Sequence, residues 1–309
     1  MHELEVNPLP SVAVCLAAFN GVRYLPQQMD SILSQTGILV TVFVSVDRSS
    51  DGTENWFQQL SETEHRVALL PFGERFGGAA PNFFRLLREV DFAAFDYVAS
   101  ADQDDIWLPG KLKCATERMI EVGADGYSSD VVAFWESGRS SYIKKSYPQR
   151  QWDYLFESAG PGCTFVLRRN LALELQAALR QNQQGATDVD RHDWFTYAFA
   201  RARNHPWVID DYASLMYRQH DENQVGVNAG VSALVLRARQ ILNGWGLTQA
   251  LLITRFIGAA DIPFVRQWLG GGRLALVNLA FQARNCRRKP TDRLWFAISC
   301  LALAVIGWK

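Results

Sequence analysis

Residues 97–105 read YVASADQDD, an apolar stretch followed at once by a segment with three carboxylates. The apolar part predicts a buried strand, and Asp102 and Asp104 then lie on the same side of an extended chain. Neighbouring carboxylates repel each other unless a cation lies between them. Hard oxygen ligands of this kind suit Mg²⁺ or Mn²⁺, ions that also bind diphosphates. The alternative is an acidic turn that caps the helix near Pro109.

Upstream of this junction, apolar runs alternate with helical patterns. Four runs predict buried strands: Ser11–Ala18, Val40–Val46, Val67–Leu70 and Tyr97–Ala101. Between them we predict helices over Pro26–Gln35, over Glu54 to about Leu60, and after Gly77-Gly78 with Pro81 near the start. This alternation predicts an α/β fold whose mostly parallel sheet is covered by helices. Ligands of such sheets bind beyond the carboxyl ends of the strands, where Asp47 and Asp102 follow the second and fourth runs.

Downstream of residue 123 the alternation weakens. Further strands are predicted over Val131–Trp135, Thr164–Leu167 and Leu215–Arg218, and helices over Asn170–Arg180 and Asp193–Arg203. From about Val231 the pattern is helical, in Ser232–Leu242, Gln249–Ile257 and Leu274–Ala283. We therefore predict two regions, an α/β domain over 1–230 and a helical C-terminal region over 231–309.

The composition excludes several classes of protein. The net charge of −1 gives no basic field for nucleic acid, and 48% hydrophobic content over 309 residues is enough for a full core. The five cysteines include no CxxC pair, so we expect reduced thiols and neither a disulfide framework nor a zinc site. Met1–Pro10 lacks the pattern of a signal peptide, which leads us to expect a cytoplasmic protein.

The C-terminal stretch Leu294–Trp308 contains no charged residue. As a helix it would be about 22 Å long, shorter than the roughly 30 Å hydrocarbon core of a bilayer. It is either a terminal helix packed on the domain or an anchor at the membrane interface. A basic cluster precedes it and tryptophans flank it, and both favour contact with anionic lipid at the inner face of the cytoplasmic membrane. These residues are Arg284, Arg287, Arg288, Lys289, Trp295 and Trp308.

Five motifs, in order, resemble those of family 2 glycosyltransferases of the GT-A fold. They are AAFNG at 17–21, VDRSSDGT at 46–53, SADQDDIW at 100–107, RHDW at 191–194 and YRQHDEN at 217–223. The DQDDIW and HDW forms are most similar to bacterial rhamnosyltransferases of O-antigen and lipopolysaccharide synthesis. The resemblance spans about residues 11–225 and implies a donor-binding half at about 11–125 and an acceptor half at about 126–230. The chain departs from the usual pattern in having Arg48 after Asp47.

The resemblance also implies a role for each matching residue. Asp193 is the expected general base, and Asp104 and His220 are the expected ligands of Mg²⁺ or Mn²⁺. Residues expected to bind the nucleotide sugar are Ala18, Asn20, Asp47, Asp51, Arg75, Asp102 and Gln103. Residues expected on the acceptor side are Gly162, Cys163 and Trp194. Local sequence leaves other interpretations open: Asp193 could cap its helix or pair with Arg191, and His220 and Arg75 could be ordinary solvated residues.

The implied reaction is sugar transfer from a nucleotide diphosphate to a saccharide or lipid-linked acceptor. A metal neutralises charge on the leaving diphosphate, and a carboxylate takes the proton of the attacking hydroxyl. A single displacement inverts the anomeric centre. The expected donor is dTDP-rhamnose, with a UDP-hexose donor as one alternative and an inactive nucleotide-sugar-binding scaffold as another. A metal-dependent phosphohydrolase would need more histidines than the five in the chain.

Overall fold

The structure, a computed structural model, describes residues 8–220, 243–270 and 272–308. The predicted helix Ser232–Leu242, the expected region boundary at 230/231 and the last three residues of the YRQHDEN motif lie outside these ranges. The described strands are β1 Ser11–Ala18, β2 Leu39–Val46, β3 Val67–Leu69, β4 Tyr97–Ala101, β5 Ile106–Trp107, β6 Gly126–Ser129, β7 Val131–Trp135, β8 Ser140–Ile143, β9 Val166–Arg168, β10 Trp207–Asp210 and β11 Leu215–Gln219.

The helices fall into two groups along the chain. Those of the α/β part are α1 Leu25–Leu33, α2 Thr53–Thr63, α3 Ala79–Glu89, α4 Lys111–Val122, α5 Arg169–Gln181, α6 Gln183–Ala186 and α7 His192–Ala202. Those of the C-terminal part are α8 Trp245–Phe256, α9 Pro263–Leu269, α10 Gly272–Phe281, α11 Ala283–Cys286 and α12 Pro290–Ile306. Two 3₁₀ turns, at Asp153–Leu155 and Gly162–Thr164, lie between β8 and β9.

The main sheet has seven strands in the order β10-β6-β9-β4-β1-β2-β3. Strand β1 pairs in parallel with β2 and β4, and β9 is antiparallel to both β4 and β6. Alternate residues of β1 enter two apolar cores, Ala13 and Cys15 on one face and Val12 and Val14 on the other. Helices cover both faces, as a parallel sheet requires, and the predicted GT-A type of α/β fold is confirmed.

The strand register brings the functional loops together. Ala18 at the end of β1 pairs with Val46 at the end of β2, and Leu16 pairs with Ala101 at the end of β4. The loops that follow these three strands therefore meet at one edge of the sheet. This edge is where Asp47 and Asp102 were expected to lie.

A second, four-stranded sheet in the order β5-β11-β7-β8 extends this edge. It was not predicted as a sheet, although two of its strands were. Strand β11 is antiparallel to β5, with Leu215 opposite Trp107. This pairing carries the end of β11, and with it His220, next to the acidic loop between β4 and β5.

The C-terminal helices share an apolar core with one face of the main sheet. Buried Leu276, Cys300 and Leu303 belong to the same cluster as Ala13 and Cys15 of β1. Helix α12 thus packs along one side, while its other side carries exposed apolar residues. Among the described residues, the structure contains no helix that is both long and apolar enough to cross a membrane.

Candidate active site

Two loops at the carboxyl edge are tied together by short polar contacts. Asn20 has the left-handed φ of +46°, and its side-chain oxygen accepts a hydrogen bond from the Ser50 amide at 2.8 Å. The carboxylate of Asp51 accepts bonds from the Val22 amide at 3.0 Å and from the Thr53 hydroxyl at 2.7 Å. Burial raises the pKa of Asp51, but these hydrogen bonds outweigh it and lower the pKa below its usual value. Asn20 and Asp51 therefore shape one wall of the site.

Asp47 joins the end of β2 to the loop before α3. Its buried carboxylate accepts hydrogen bonds from the amides of Phe76 and Gly77, both at 2.8 Å, and its own amide donates to the Ala18 carbonyl. The side chain of Arg75, next to this contact, is exposed. Asp47 thus holds the glycine-containing loop in place at the predicted nucleotide pocket.

Gln103 fixes the acidic loop against the end of β1. Its amide oxygen accepts from the Phe19 amide at 2.7 Å, and its amide nitrogen donates to the Phe19 carbonyl at 2.9 Å. A Cβ atom at Gly21 would lie 2.2 Å from that Gln103 oxygen, so the close approach needs glycine. The predicted donor residue Gln103 therefore positions Asp102 and Asp104 through the backbone.

The acidic groups are crowded. Ligand atoms of Asp102, Asp105 and Cys163 all lie within 4.8 Å of one another. Burial, and then the charges of Asp104 and Asp193, raise the pKa of Asp102 to about 7. One oxygen of the fully buried Asp105 accepts from the Arg218 amide at 3.1 Å, and the other has no hydrogen-bond partner among the described residues. A divalent cation with oxygen ligands suits this concentration of carboxylates.

The predicted pair of metal ligands is brought together. His220 Nε2 lies 2.7 Å from Asp104 Oδ2, and the imidazole stacks on Tyr24 with ring centroids 4.8 Å apart. The guanidinium Nε of Arg218 donates to the Asp104 carbonyl at 2.7 Å. An imidazole and a carboxylate held this close can bind one cation between them.

Asp193 lies in the first turn of α7, and its charge is one of the causes that raise the pKa of Asp102. Its Oδ1 accepts a hydrogen bond from the amide of Trp194 at 2.8 Å. The helix cap is Arg191, which makes no side-chain capping bond, so the interpretation of Asp193 as the cap is wrong. The Arg191 guanidinium lies over the Trp245 ring, 5.5 Å from its centroid. Asp193 is thus close enough to Asp102 for its charge to act on that carboxyl group.

The three predicted acceptor-side residues lie around α7, and two of them are core. A Cβ atom at Gly162 would come within 2.4 Å of His192 Nε2 and 3.3 Å of the Asp193 Cβ. Cys163 is fully buried against the acidic group. The buried Trp194 indole donates to the Tyr154 carbonyl at 2.9 Å, so this residue holds α7 in place. Gly162 is the member of the set that lies directly against Asp193.

Two cations of the site were missed by the sequence analysis. Lys111 at the start of α4 is buried, with its ammonium 3.7 Å from the centre of the Trp107 ring, and burial lowers its pKa to about 8. Arg218 is also buried, and it bonds to the backbone of the acidic loop. Arg218 lies inside one of the five motifs, and Lys111 lies six positions after Asp105, the end of the acidic segment. Basic residues in turns and at strand ends are usually solvated, so nothing in the sequence indicated that these two side chains are buried.

Comparisons with known proteins bear on this site. The family model "Glycosyl transferase family 2" matches residues 13–175. The dTDP-rhamnosyl transferase RfbG of Shigella flexneri is 37% identical over 284 residues, covering 92% of this chain and 98% of that protein. The Escherichia coli UDP-Glc:alpha-D-GlcNAc-diphosphoundecaprenol beta-1,3-glucosyltransferase WfgD is 28% identical over 164 residues, covering 52% and 61%.

Solved structures share the fold at low sequence identity. Residues 1–349 of S. aureus TarS, in complex with UDP-GlcNAc, match with a TM-score of 0.52 and 15% identity, covering 95% of this chain and 89% of that one. The mannosyltransferase PcManGT of Pyrobaculum calidifontis, in complex with GDP-Man and Mn²⁺, matches with a TM-score of 0.50 and 17% identity, covering 95% and 86%.

Proposed function

The chain belongs to glycosyl transferase family 2 and is a nucleotide-sugar glycosyltransferase, and on that premise we propose that it transfers L-rhamnose from dTDP-rhamnose. The acceptor in this proposal is a saccharide or lipid-linked saccharide of cell-surface polysaccharide or lipopolysaccharide synthesis. The observation that carries the choice of donor is the 37% identity to a dTDP-rhamnosyl transferase over nearly the whole of both chains.

In this proposal the nucleotide lies against the edge formed by β1, β2 and β4. Asn20, Asp51 and the end of β1 at Ala18 form the pocket for the base. The Asp47 carboxylate contributes an acceptor and also fixes the backbone of residues 76–77, beside which Arg75 is free to approach the diphosphate. Asp102 would lie near the ribose and the metal. The polar contacts within these loops preorganise the pocket before the donor arrives.

The donor set of the acidic loop fits a divalent cation. Asp104 and His220 would hold Mg²⁺ or Mn²⁺. Such an ion, when bound, supplies a Lewis acid that neutralises charge on the leaving diphosphate. The chain's own contribution is to keep several carboxylates close together although they repel each other. Burial, and then the charges of Asp104 and Asp193, raise the pKa of Asp102 in this arrangement.

Asp193 serves as the general base of the proposed reaction. Its half-buried carboxylate is close enough to Asp102 to raise the pKa of that group, and the lack of a side chain at Gly162 lets His192 and Asp193 pack closely against the acceptor-side loop. It takes the proton from the acceptor hydroxyl as that oxygen attacks the anomeric carbon. With one carboxylate acting as base and no covalent intermediate, the anomeric configuration inverts.

A thermal-shift screen of nucleotide sugars tests the proposed donor. With Mn²⁺ present, dTDP-rhamnose should raise the melting temperature more than UDP-glucose does, because a ligand of the native state at 100 times its Kd adds about 2.7 kcal/mol. A larger increase in melting temperature with UDP-hexoses would show that the donor is a UDP-hexose and not dTDP-rhamnose. Binding of a donor without transfer to any lipid-linked acceptor, and without slow hydrolysis, would favour the inactive scaffold.

We also propose that the protein binds the inner face of the cytoplasmic membrane through its C-terminal helices. Exposed apolar residues on α12 recur at helical spacing, and two more project from α10, which packs against it. They are Leu274, Phe281, Leu294, Trp295, Ile298, Leu301 and Val305. The exposed Arg273, Arg284 and Lys289 border this surface and suit anionic headgroups.

Two arginines of the predicted lipid-facing cluster bond to other parts of the protein. Arg287 and Arg288 were counted with the lipid-facing basic cluster, but Arg288 is buried, and both arginines bond to Glu157 and to main-chain carbonyls. Trp308 is also partly buried and lies near Trp268. The proposal therefore depends on the exposed residues alone.

Replacing Leu294, Ile298 and Leu301 together by Ser should release the protein from vesicles that contain phosphatidylglycerol. Each buried aliphatic side chain contributes about 1.5–3 kcal/mol to such partitioning, so three should lower vesicle affinity by at least about 100-fold. Vesicle co-sedimentation measures this, and Ile120→Ser, an equally exposed residue on α4, is the matched control. Turnover of a water-soluble acceptor analogue should stay at the wild-type level. If the triple variant co-sedimented with vesicles as well as the wild-type protein does, this surface would not be the one that binds lipid.

A further inference from the structure

A buried ionic cluster connects the C-terminal helices with α7. At its centre is Asp153, whose side chain is fully buried. Its carboxylate accepts hydrogen bonds from the Tyr197 hydroxyl at 3.2 Å, from Arg201 at 3.3 Å and from Arg288 at 3.4 Å. Tyr197 and Arg201 belong to α7, one and two turns beyond Asp193. Arg288 comes from the connection between α11 and α12, so one carboxylate joins the helix of the base to the C-terminal region.

Arg288 also holds the segment that leads into the acceptor-side loop, defined here as residues 158–163. Its second terminal nitrogen donates to the Ser158 carbonyl at 2.5 Å, and its backbone amide donates to Glu157 at 2.6 Å. The neighbouring Arg287 donates to the Phe156 carbonyl at 2.7 Å. The backbone of residues 156–158 is thus fixed from the C-terminal side.

The acceptor-side loop passes this restraint on to the base. The Ser158 hydroxyl donates to the Gly160 carbonyl at 2.8 Å, and the loop then turns so that Gly162 lies against His192 and Asp193. The side chain of His192 is stacked on Phe83 with ring centroids 3.8 Å apart, which fixes the start of α7 on its other side. The acceptor-side loop and α7 therefore meet at Asp193. The Arg288 guanidinium bonds both to Ser158 of this loop and to Asp153, which pairs with α7.

We propose that Arg288 is a positioning residue for the acceptor: it sets the acceptor-side loop and α7 relative to each other, so the C-terminal helices form part of the acceptor site. This inference rests on the proposed role of Asp193. The planar guanidinium spans Asp153 and Ser158 with its two terminal nitrogens, which the single ammonium of a lysine cannot do. A displacement of about 1 Å at a reacting group can cost about 100-fold in rate.

The variant Arg288→Lys tests this proposal, because it keeps a positive charge beside the Asp153 carboxylate and removes only the second hydrogen-bond donor. We expect the variant to fold and to bind the donor within about twofold of wild type, because the donor loops lie on β1, β2 and β4. Its kcat/KM for the acceptor should fall by about 10- to 100-fold, while slow hydrolysis of the donor without acceptor stays unchanged. Arg255→Lys, at an exposed arginine of α8, is the matched control on a soluble acceptor analogue.

Hydrogen exchange provides a readout that does not depend on turnover. In Arg288→Lys, amides of the acceptor-side loop and of the start of α7 should lose protection, whereas those of β1 and β4 should not. Wild-type acceptor kinetics and exchange in this variant would overturn the inference, as would an equal loss of donor binding. If the wild-type protein transferred no sugar at all, the proposed function itself would fail, and this inference with it. Arg288→Met should lower kcat/KM for the acceptor further than Arg288→Lys does.

Discussion

Replacing Asp104 by Asn should abolish sugar transfer and leave the fold intact. Asn can still accept a hydrogen bond from the His220 imidazole, which lies 2.7 Å from the present carboxylate, so the local packing is retained. The variant loses the negative charge that a divalent cation requires here. Because that cation is proposed to offset charge on the leaving diphosphate, we expect a loss of at least about 1,000-fold in kcat, equivalent to several kcal/mol.

The same variant should lose the stabilisation that Mn²⁺ gives the wild-type protein. In the wild-type protein, the pKa of Asp102 is about 7 in the folded state, against its usual value of 3.8. Between these two pH values, the folded state holds a proton that the unfolded state has released. Stability without a cation should accordingly decrease as the pH rises from about 4 to about 7. A cation competes with that proton, so the gain in melting temperature with Mn²⁺ should be larger at pH 8 than at pH 6.

Asp261→Asn, which removes a fully exposed carboxylate beyond the active site, is the matched control and should behave as wild type. Full activity of the wild-type protein in excess EDTA, together with an active Asp104→Asn, would remove the cation from the mechanism.

The sequence predicted the part of the fold that local patterns determine. Strands β1, β2 and β4 are continuous apolar runs because both of their faces are buried, and Asp47 and Asp102 follow them directly. Because parallel strands end at the same edge, the meeting of these carboxylates followed from the order of elements alone. This part of the site needed no knowledge of distant contacts.

The remaining features depend on pairings that no local pattern records. Strand β5 is two residues long and has no periodicity, so its place in the second sheet depends on the pairing of Trp107 with Leu215. Strand β9 is inserted antiparallel between β4 and β6, which its apolar composition does not indicate. Arg288 is separated by 135 positions from the carboxylate that it pairs with. In sequence it therefore resembled the exposed basic residues beside it.

Asp193→Asn is expected to keep donor binding and lose catalysis. The Asn side chain is nearly isosteric, and its oxygen can accept the same hydrogen bond from the Trp194 amide, which lies 2.8 Å from Oδ1 in the wild-type protein. The first turn of α7 should keep its position, since Trp194 still bonds to Tyr154. The melting temperature should therefore be nearly unchanged, while the group that takes the proton is gone.

The kinetic loss should be about 10²- to 10⁴-fold in kcat, the usual contribution of a general base. The acidic limb of the pH–rate profile should disappear with it, because that limb reports protonation of the base. The structure also predicts a change in cation binding, opposite in direction to the change in kcat. The Asp193 charge is one cause of the raised pKa of Asp102, so its removal should lower that pKa and strengthen cation binding at neutral pH. A variant that binds Mn²⁺ at least as well as wild type, yet does not transfer sugar, separates the base from the metal site. Near-normal kcat in Asp193→Asn would instead show that this carboxylate is not the general base.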